Sequence, residues 1–399
     1  MTRTVRFGII GGGLMGREFA SAAARWIHLD EMGARPQVAA VCDVNPGALR
    51  WYERLDPCPN LVSDYREILE DDTIEAIYCA VPHHRHQEIY RAVVSYGKHL
   101  LGEKPFGIDL DANRAIIEAV NAAPDLVVRC SSEFPFYPGG QQAARWIEEE
   151  RFGRVLEVRS SFLHSSDIDP LKPINWKRQA QFNGEYGCMG DLGMHALHIP
   201  LRAGWAPRDV RAVLSNVFTT RPDHTGNQVD CDTWDNAVLC CEVEAADYTF
   251  PLRLEIKRIA PGEMNTWTIE VDGTEGSLAF TTKYPKTLRV LEYKPGDSVQ
   301  AWRTIELGSQ SAYPTITGGI FEFGFSDSVL QMCAAFLDEI VHGRSNMRQP
   351  FHCATPEETA LSHQLMTAAL RSNEKRQVVE LADMVEPPPR QAEDPVSQR

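Results

Sequence analysis

Val5 to Gly16 reads VRFGIIGGGLMG. Within this stretch a short apolar strand gives way to a glycine turn and then to the opening of a helix. Each glycine has a physical task in such a turn. Gly11 allows the tight reversal, Gly13 lets backbone approach a pyrophosphate with no Cβ in the way, and Gly16 lets the helix pack close to the strand. The following helix, expected over Arg17 to Leu29, then aims its N-terminal N–H groups at phosphate oxygens. A glycine turn alone also occurs where no nucleotide binds. Here the strand before it and the helix after it favour the dinucleotide reading.

The rest of the chain is large enough to build on that unit. At 399 residues the length suggests about two or three domains. A hydrophobic content of 43% is ample for burial, and the formal charge of −15 argues against a grip on nucleic acid or anionic membrane. Both of those partners need clustered Lys and Arg. The ten cysteines are scattered without a C-x-x-C pair, and Cys240 and Cys241 are adjacent, which reads as reduced thiols rather than a disulfide framework. The first residues lack the apolar core of a secretion signal, and no stretch reaches the roughly twenty apolar residues of a membrane helix. The expectation is a soluble cytoplasmic protein.

Downstream of the turn, Gln37 to Cys42 forms a second apolar run that ends in Asp43. An acidic residue there accepts hydrogen bonds from the adenosine ribose and repels a 2′-phosphate, which favours NAD over NADP. Asp43 could instead cap a helix beginning at Pro46. Strand and helix then alternate through Leu61–Ser63, Tyr65–Glu70 and Ile74–Val81, the pattern of a parallel sheet covered on both faces. His83, His84 and His86 follow the Pro82 turn. Zinc sites usually draw spaced ligands from more than one segment, so no metal is assigned there. Next, the Lys98–Phe106 stretch KHLLGEKPF places Glu103, Lys104 and Pro105 at a strand's end. A lysine held before a proline at that edge can be aimed at a substrate oxygen.

The N-terminal GGGLMG, the VPHHRH turn, GKHLLGEKP and the later GDLGMHALH together resemble the Gfo/Idh/MocA family of NAD(P)-dependent oxidoreductases, over about Val5 to Leu381. The resemblance implies an N-terminal Rossmann dinucleotide-binding domain and a C-terminal α/β domain with a large, mostly antiparallel open sheet. It also places Lys104 at the reacting centre, has His195 exchange a proton with substrate, and has Asp191 position substrate or His195. The cofactor is expected against Gly11, Gly13, Leu14, Met15, Gly16, Asp43, Pro82, His86, Glu103, Lys104 and Pro105. Substrate is expected against Lys104, Trp176, Arg178, Asp191 and His195. The family often has an arginine in the turn that here reads Glu133–Gly140, and none is present. His198 stands where an aspartate is common, and its role is unassigned.

Expected boundaries are 1–130 for the nucleotide domain, 131–384 for the substrate domain and 385–399 for a flexible tail. Ser165–Gly190 is a long polar connection, and loops of that length are usually functional or disordered. Trp176, Lys177 and Arg178 favour a substrate-facing loop. Asp191, His195 and His198 fall on one helical face at i, i+4 and i+7, which lines a pocket more often than it holds a metal. From Val210 to Leu307 successive strands lack intervening helices, so an antiparallel sheet is expected, with its second face available to make a homo-oligomer. Helices close the chain at about Asp327–His342 and Glu357–Ser372. The leading function is NAD-dependent oxidation or reduction at a secondary hydroxyl or ketone of a sugar or cyclitol. An NAD-dependent glycoside hydrolase working by transient oxidation and elimination is the alternative, and a non-catalytic nucleotide sensor is the alternative from another class.

Overall fold

The computed structural model describes residues 2–30, 32–308 and 313–384, so the tail expected at 385–399 lies outside the described residues. The first unit contains strands β1 (Arg3–Ile10), β2 (Ala34–Cys42), β3 (Asn60–Val62), β4 (Ala76–Cys79), β5 (His99–Gly102) and β6 (Val128–Cys130). Helices α1 (Leu14–Ala24), α2 (Pro46–Leu49), α3 (Tyr65–Leu69), α4 (His86–Ser95) and α5 (Leu110–Asn121) connect them. All pairings are parallel, in the order β3-β2-β1-β4-β5-β6. Ala76 to Cys79 are buried without alternation, because helices cover both faces of such a sheet. Strand order reverses between β1 and β4, which opens a crevice at their carboxyl ends. The glycine turn and the Pro82 turn flank that crevice.

The first helix begins earlier and ends sooner than the sequence suggests. It stops at Ala24, and a 3₁₀ turn at Trp26–His28 follows. There the Trp26 indole donates to the Ala34 carbonyl at 2.8 Å, and that anchorage ends the helix.

The second unit holds α6 (Pro138–Glu148), β7 (Val155–His164), α7 (Ala180–Asn183), α8 (Cys188–Arg202), β8 (Pro207–Ser215), β9 (Thr220–Pro222), β10 (Gln228–Asp230), β11 (Asn236–Glu244), β12 (Thr249–Lys257), β13 (Met264–Gly273), β14 (Gly276–Thr281), β15 (Thr287–Glu292) and β16 (Arg303–Glu306). Then come α9 (Phe325–His342), α10 (Pro356–Lys375) and β17 (Val379–Glu380). Nine strands form one sheet in the order β16-β15-β14-β13-β7-β12-β11-β8-β17. Every described pairing in it is antiparallel except β7 with β12. Strand β12 shows the period that builds it: Phe250, Leu252, Leu254 and Ile256 are buried, while Thr249, Pro251 and Arg253 are exposed. The covered face packs on α8 and α10. The outward face carries charge networks such as Arg159 with Glu157, Glu270 and Asp272.

The last helices tie the two units together. Helix α9 returns to pack on α1 and β2, with Arg25 paired to Asp327 and Ser326 donating to Glu18. Helix α10 packs on α5, α8 and β8. It starts as its sequence demands, with Thr355 and Glu358 exchanging capping hydrogen bonds around Pro356 at the first helical position. Among the described residues no helix is long and apolar enough to cross a membrane.

Candidate active site

The glycine turn is shaped by contact on one side and open on the other. Gly11 has φ +100°, and a Cβ there would lie 2.4 Å from the Ala80 carbonyl oxygen. At Gly16 a Cβ would fall 2.2 Å from the Gly11 oxygen. Gly13 differs, since a Cβ there meets nothing within 4 Å. No side chain caps the α1 N-terminus at Gly13, and Leu14 in its first turn is 76% exposed. Those features leave free donors facing open space, as a pyrophosphate requires. Asp43 stands beside them, accepting from the Gly12 N–H through Oδ2 at 2.8 Å and from the Asn45 N–H through Oδ1 at 2.8 Å. The helix at Pro46 is capped by Asn45, not Asp43. These residues fit a bound NAD.

His86 corrects one expectation. It is wholly buried, with Nδ1 2.7 Å from the Pro105 carbonyl oxygen and Nε2 2.9 Å from that of Val81. With no accessible surface it ties the Pro82 and Pro105 turns together instead of touching cofactor. Burial pushes its pKa down to about 4, despite the two carbonyls. His83 is also buried, with Nδ1 3.1 Å from the Asn183 carbonyl oxygen. Glu103 is buried too and accepts from the Tyr78 hydroxyl at 2.6 Å, while Tyr90 donates to its carbonyl at 2.6 Å. These bonds fix the end of β5 and therefore the position of Lys104.

The charged cluster beyond β5 centres on Asp191, in the first turn of α8. Its Oδ1 lies 3.1 Å from Lys104 Nζ and 2.8 Å from Lys177 Nζ, and Arg258 pairs with Oδ2. Lys104 also donates to the Asp191 carbonyl oxygen. Arg258 reaches onward to Asp167 at 3.1 Å, and Lys172 joins Asp167 at 3.0 Å. Three cations around one carboxylate leave no room for a metal role there. Burial lowers the pKa of Lys104, and burial with the neighbouring Lys104 and Arg258 charges lowers that of Lys177 further.

One turn along α8, His195 lies with Nδ1 3.3 Å from the Ser132 hydroxyl and its ring edge-on to Phe134 and Phe162. Burial, with the Lys104 charge second, holds its pKa well below the ordinary histidine value. The helix is bound to the sheet at this turn. Pro200 has no N–H to give the Ala196 carbonyl, and the Ser160 hydroxyl of β7 supplies a donor at 2.8 Å. Next to it, Trp267 Nε1 donates to the His195 carbonyl at 2.9 Å.

Lys104, Asp191 and His195 are thus brought together, and half-buried Trp176 lies edge-on to His83 at 4.8 Å. Arg178 is not at the site. It has no exposed surface and pairs with the equally buried Asp235, so it anchors the loop and cannot bind substrate. His198 turns towards α10, with Nε2 3.1 Å from Arg202, which pairs with Glu358. Sequence reasoning missed Ser132, Asp167 and Arg258. Arg258 follows the apolar alternation of β12 and carries no local signal of its distant partners.

Two family models match the chain: residues 5–129 match the oxidoreductase family with an NAD-binding Rossmann fold, and residues 141–279 match the GFO/IDH/MocA C-terminal domain. The protein belongs to the Gfo/Idh/MocA oxidoreductase family. A levoglucosan dehydrogenase of Pseudarthrobacter phenanthrenivorans is 28% identical over 327 residues, 78% of this chain and 82% of that protein. A solved levoglucosan dehydrogenase in complex with NADH and levoglucosan superposes with a TM-score of 0.85 at 26% identity, covering 95% of this chain and 100% of the other. A glycosyl hydrolase family 109 protein of Bacteroides thetaiotaomicron is 26% identical over 188 residues, 44% of this chain and 38% of that protein.

Proposed function

We propose that the protein is an NAD-dependent dehydrogenase that oxidises a secondary hydroxyl of a sugar or cyclitol and runs the reverse reduction. The observation that carries this reading is the convergence of Lys104, from the end of β5, on Asp191 in the first turn of α8, with His195 one turn along the same helix and its Nδ1 against Ser132. Bound NAD supplies the hydride acceptor. Lys104 holds the reacting oxygen and stabilises charge developing on it. His195 takes the hydroxyl proton on Nε2, while Ser132 at Nδ1 fixes the ring. Asp191 holds Lys104 in place. Residues 1–130 serve the cofactor and 131–384 the substrate, with α9 as the substrate domain's return to α1. Asp43 at the ribose end favours NAD over NADP.

The similarity to a glycosyl hydrolase family 109 protein supports a second reading, glycosidic cleavage through transient oxidation. A dehydrogenase releases NADH with each substrate consumed, whereas a closed redox cycle releases aglycone and no net NADH. We expect NADH from a panel of free sugars, anhydrosugars and cyclitols incubated with the protein and NAD. Aglycone release from glycosides without NADH would reverse this ranking, and neither signal would favour the sensor. We further propose a cytoplasmic homo-oligomer assembled through the outward sheet face, where Val213 stands exposed. Light scattering that finds a monomer at micromolar concentration would refute that assembly.

A further inference from the structure

Strand β7 carries one more histidine towards the same cleft. Its residues Val158, Ser160 and Phe162 are buried on the face that meets α8, where Ser160 bonds Ala196 and Phe162 meets His195. His164 is the next residue on that face, and it is only half-buried. The Phe162 ring is edge-on to both imidazoles, with centroids 5.2 Å from His195 and 6.4 Å from His164.

The protonation of His164 follows from its geometry. Nδ1 lies 3.1 Å from the Ser166 backbone nitrogen, which donates to it. A peptide N–H can only donate, so Nδ1 is unprotonated and the ring proton sits on Nε2. That Nε2 makes no hydrogen bond among the described residues, and it is not sealed from solvent. Burial, with the nearby Arg258 and Lys177 charges, pushes the His164 pKa down to about 4. The donor therefore persists at neutral pH, next to the cations that hold Asp191.

We infer that His164 is a substrate-binding residue whose Nε2–H donates to a hydroxyl oxygen of the polyol, at a carbon other than the one oxidised. A half-buried donor of fixed tautomer, on the strand face that reaches His195, suits a ligand with several hydroxyls. A purely structural His164 needs only Nδ1, to receive the Ser166 N–H. The inference rests on the function proposed above.

The two roles separate by substitution in the full chain with NAD. In His164→Asn the shorter amide still accepts from Ser166 but cannot reach the Nε2 position. In His164→Gln an N–H returns near that position. We expect H164N to raise KM for a polyol from the panel about tenfold, the weight of one hydrogen bond. We expect kcat to stay within about twofold, and H164Q to restore KM to within about threefold of the parent, by the same hydrogen-bond reckoning. NADH titration followed by fluorescence should be unchanged in both. Should H164N not fold, His164→Thr, whose hydroxyl also accepts from Ser166 but cannot reach the Nε2 position, takes its place with the same expectation. Turnover with KM unchanged in H164N overturns the role of His164 alone, as does equal loss in H164N and H164Q. If the parent protein forms no NADH from any panel member, the functional reading falls and this inference falls with it.

Discussion

At the scale of single residues the chemistry depends on how charge is held. Asp191 is outnumbered by cations, and Lys104 shares its Oδ1 with Lys177 while Arg258 takes Oδ2. In the mechanism proposed above, removing Lys104 or His195 deletes a group that touches the reacting oxygen. We expect Lys104→Met and His195→Ala each to lower kcat by roughly 10²–10⁴, the range for acid–base groups. NADH affinity should be retained, as checked by single-turnover assays and cofactor titration. Near-normal rates in both variants would remove them from the mechanism. Glu133 gives a pH signature. It is buried near Glu103, and burial with that carboxylate pushes its pKa up to about 7. An acid whose folded pKa lies above the unfolded value keeps its proton longer in the native state. Its contribution to stability is complete below the unfolded value near 4.5 and is lost as pH rises through about 7. The difference in Tm between Glu133→Gln and the parent should therefore grow in favour of the variant from pH 5 to 7.5, and a constant difference would count against it.

The elements show why some of this was legible in the chain and some was not. The strand, glycine turn and helix at Val5–Gly16 are local, as are the lysine before Pro105 and the one-turn spacing of Asp191 and His195. Local patterns survive in sequence. The pairing of Lys177 with Asp191 and of Arg258 with both Asp191 and Asp167 depends on long-range packing and leaves no spacing to read. Arg178 misled for the same reason, because its partner Asp235 stands just before β11 and is reached only after three intervening strands. His86 misled because its place in the cofactor crevice hides that both ring nitrogens face backbone carbonyls. The glycine turn itself makes a sharp prediction. Gly13→Ala adds a methyl into open space, so the apo protein should keep its Tm within about a degree, the shift expected of a few tenths of a kcal/mol, while NADH affinity falls at least about tenfold through the blocked approach. Gly11→Ala instead drives a methyl against Ala80 in a left-handed backbone, and we expect it to lower Tm of the apo protein. Equal NADH binding by Gly13→Ala and the parent would refute the cofactor role of the turn.

Across the whole molecule, the parallel sheet and the large sheet are not strung together by a single linker. Helix α9 lies on α1 and β2, α10 lies on both α5 and α8, and Cys130 bridges to Ala354 at the crossing. The amphipathic period of α9 marks it as a helix but does not say which unit it covers, so its return to α1 could not be read from sequence. With contacts crossing between the units at α9, at α10 and at Lys104–Asp191, heat should unfold them in one calorimetric transition. NADH at about a hundred times its Kd should raise that single Tm, by the roughly 2.7 kcal/mol of mass action. Two separate transitions, with only one shifted by NADH, would show the units to be independent.

The way α8 and the Ser165–Gly187 loop are held has a consequence for how such a protein changes over time. The helix is fixed to the sheet by Ser160 and Trp267. The loop hangs from a different support, with Arg178 buried against Asp235 and Arg221 donating to the carbonyls of Asp167 and Asp169. Helix and loop therefore have separate mountings that meet at Asp191 through Lys177 and Arg258, and we expect the loop to be exchangeable together with its arginine-bearing hairpin while the helix stays in register. Lineages can explore new polyols by altering that detachable piece, provided a lysine still arrives at Asp191, and an engineer could transplant it as a unit.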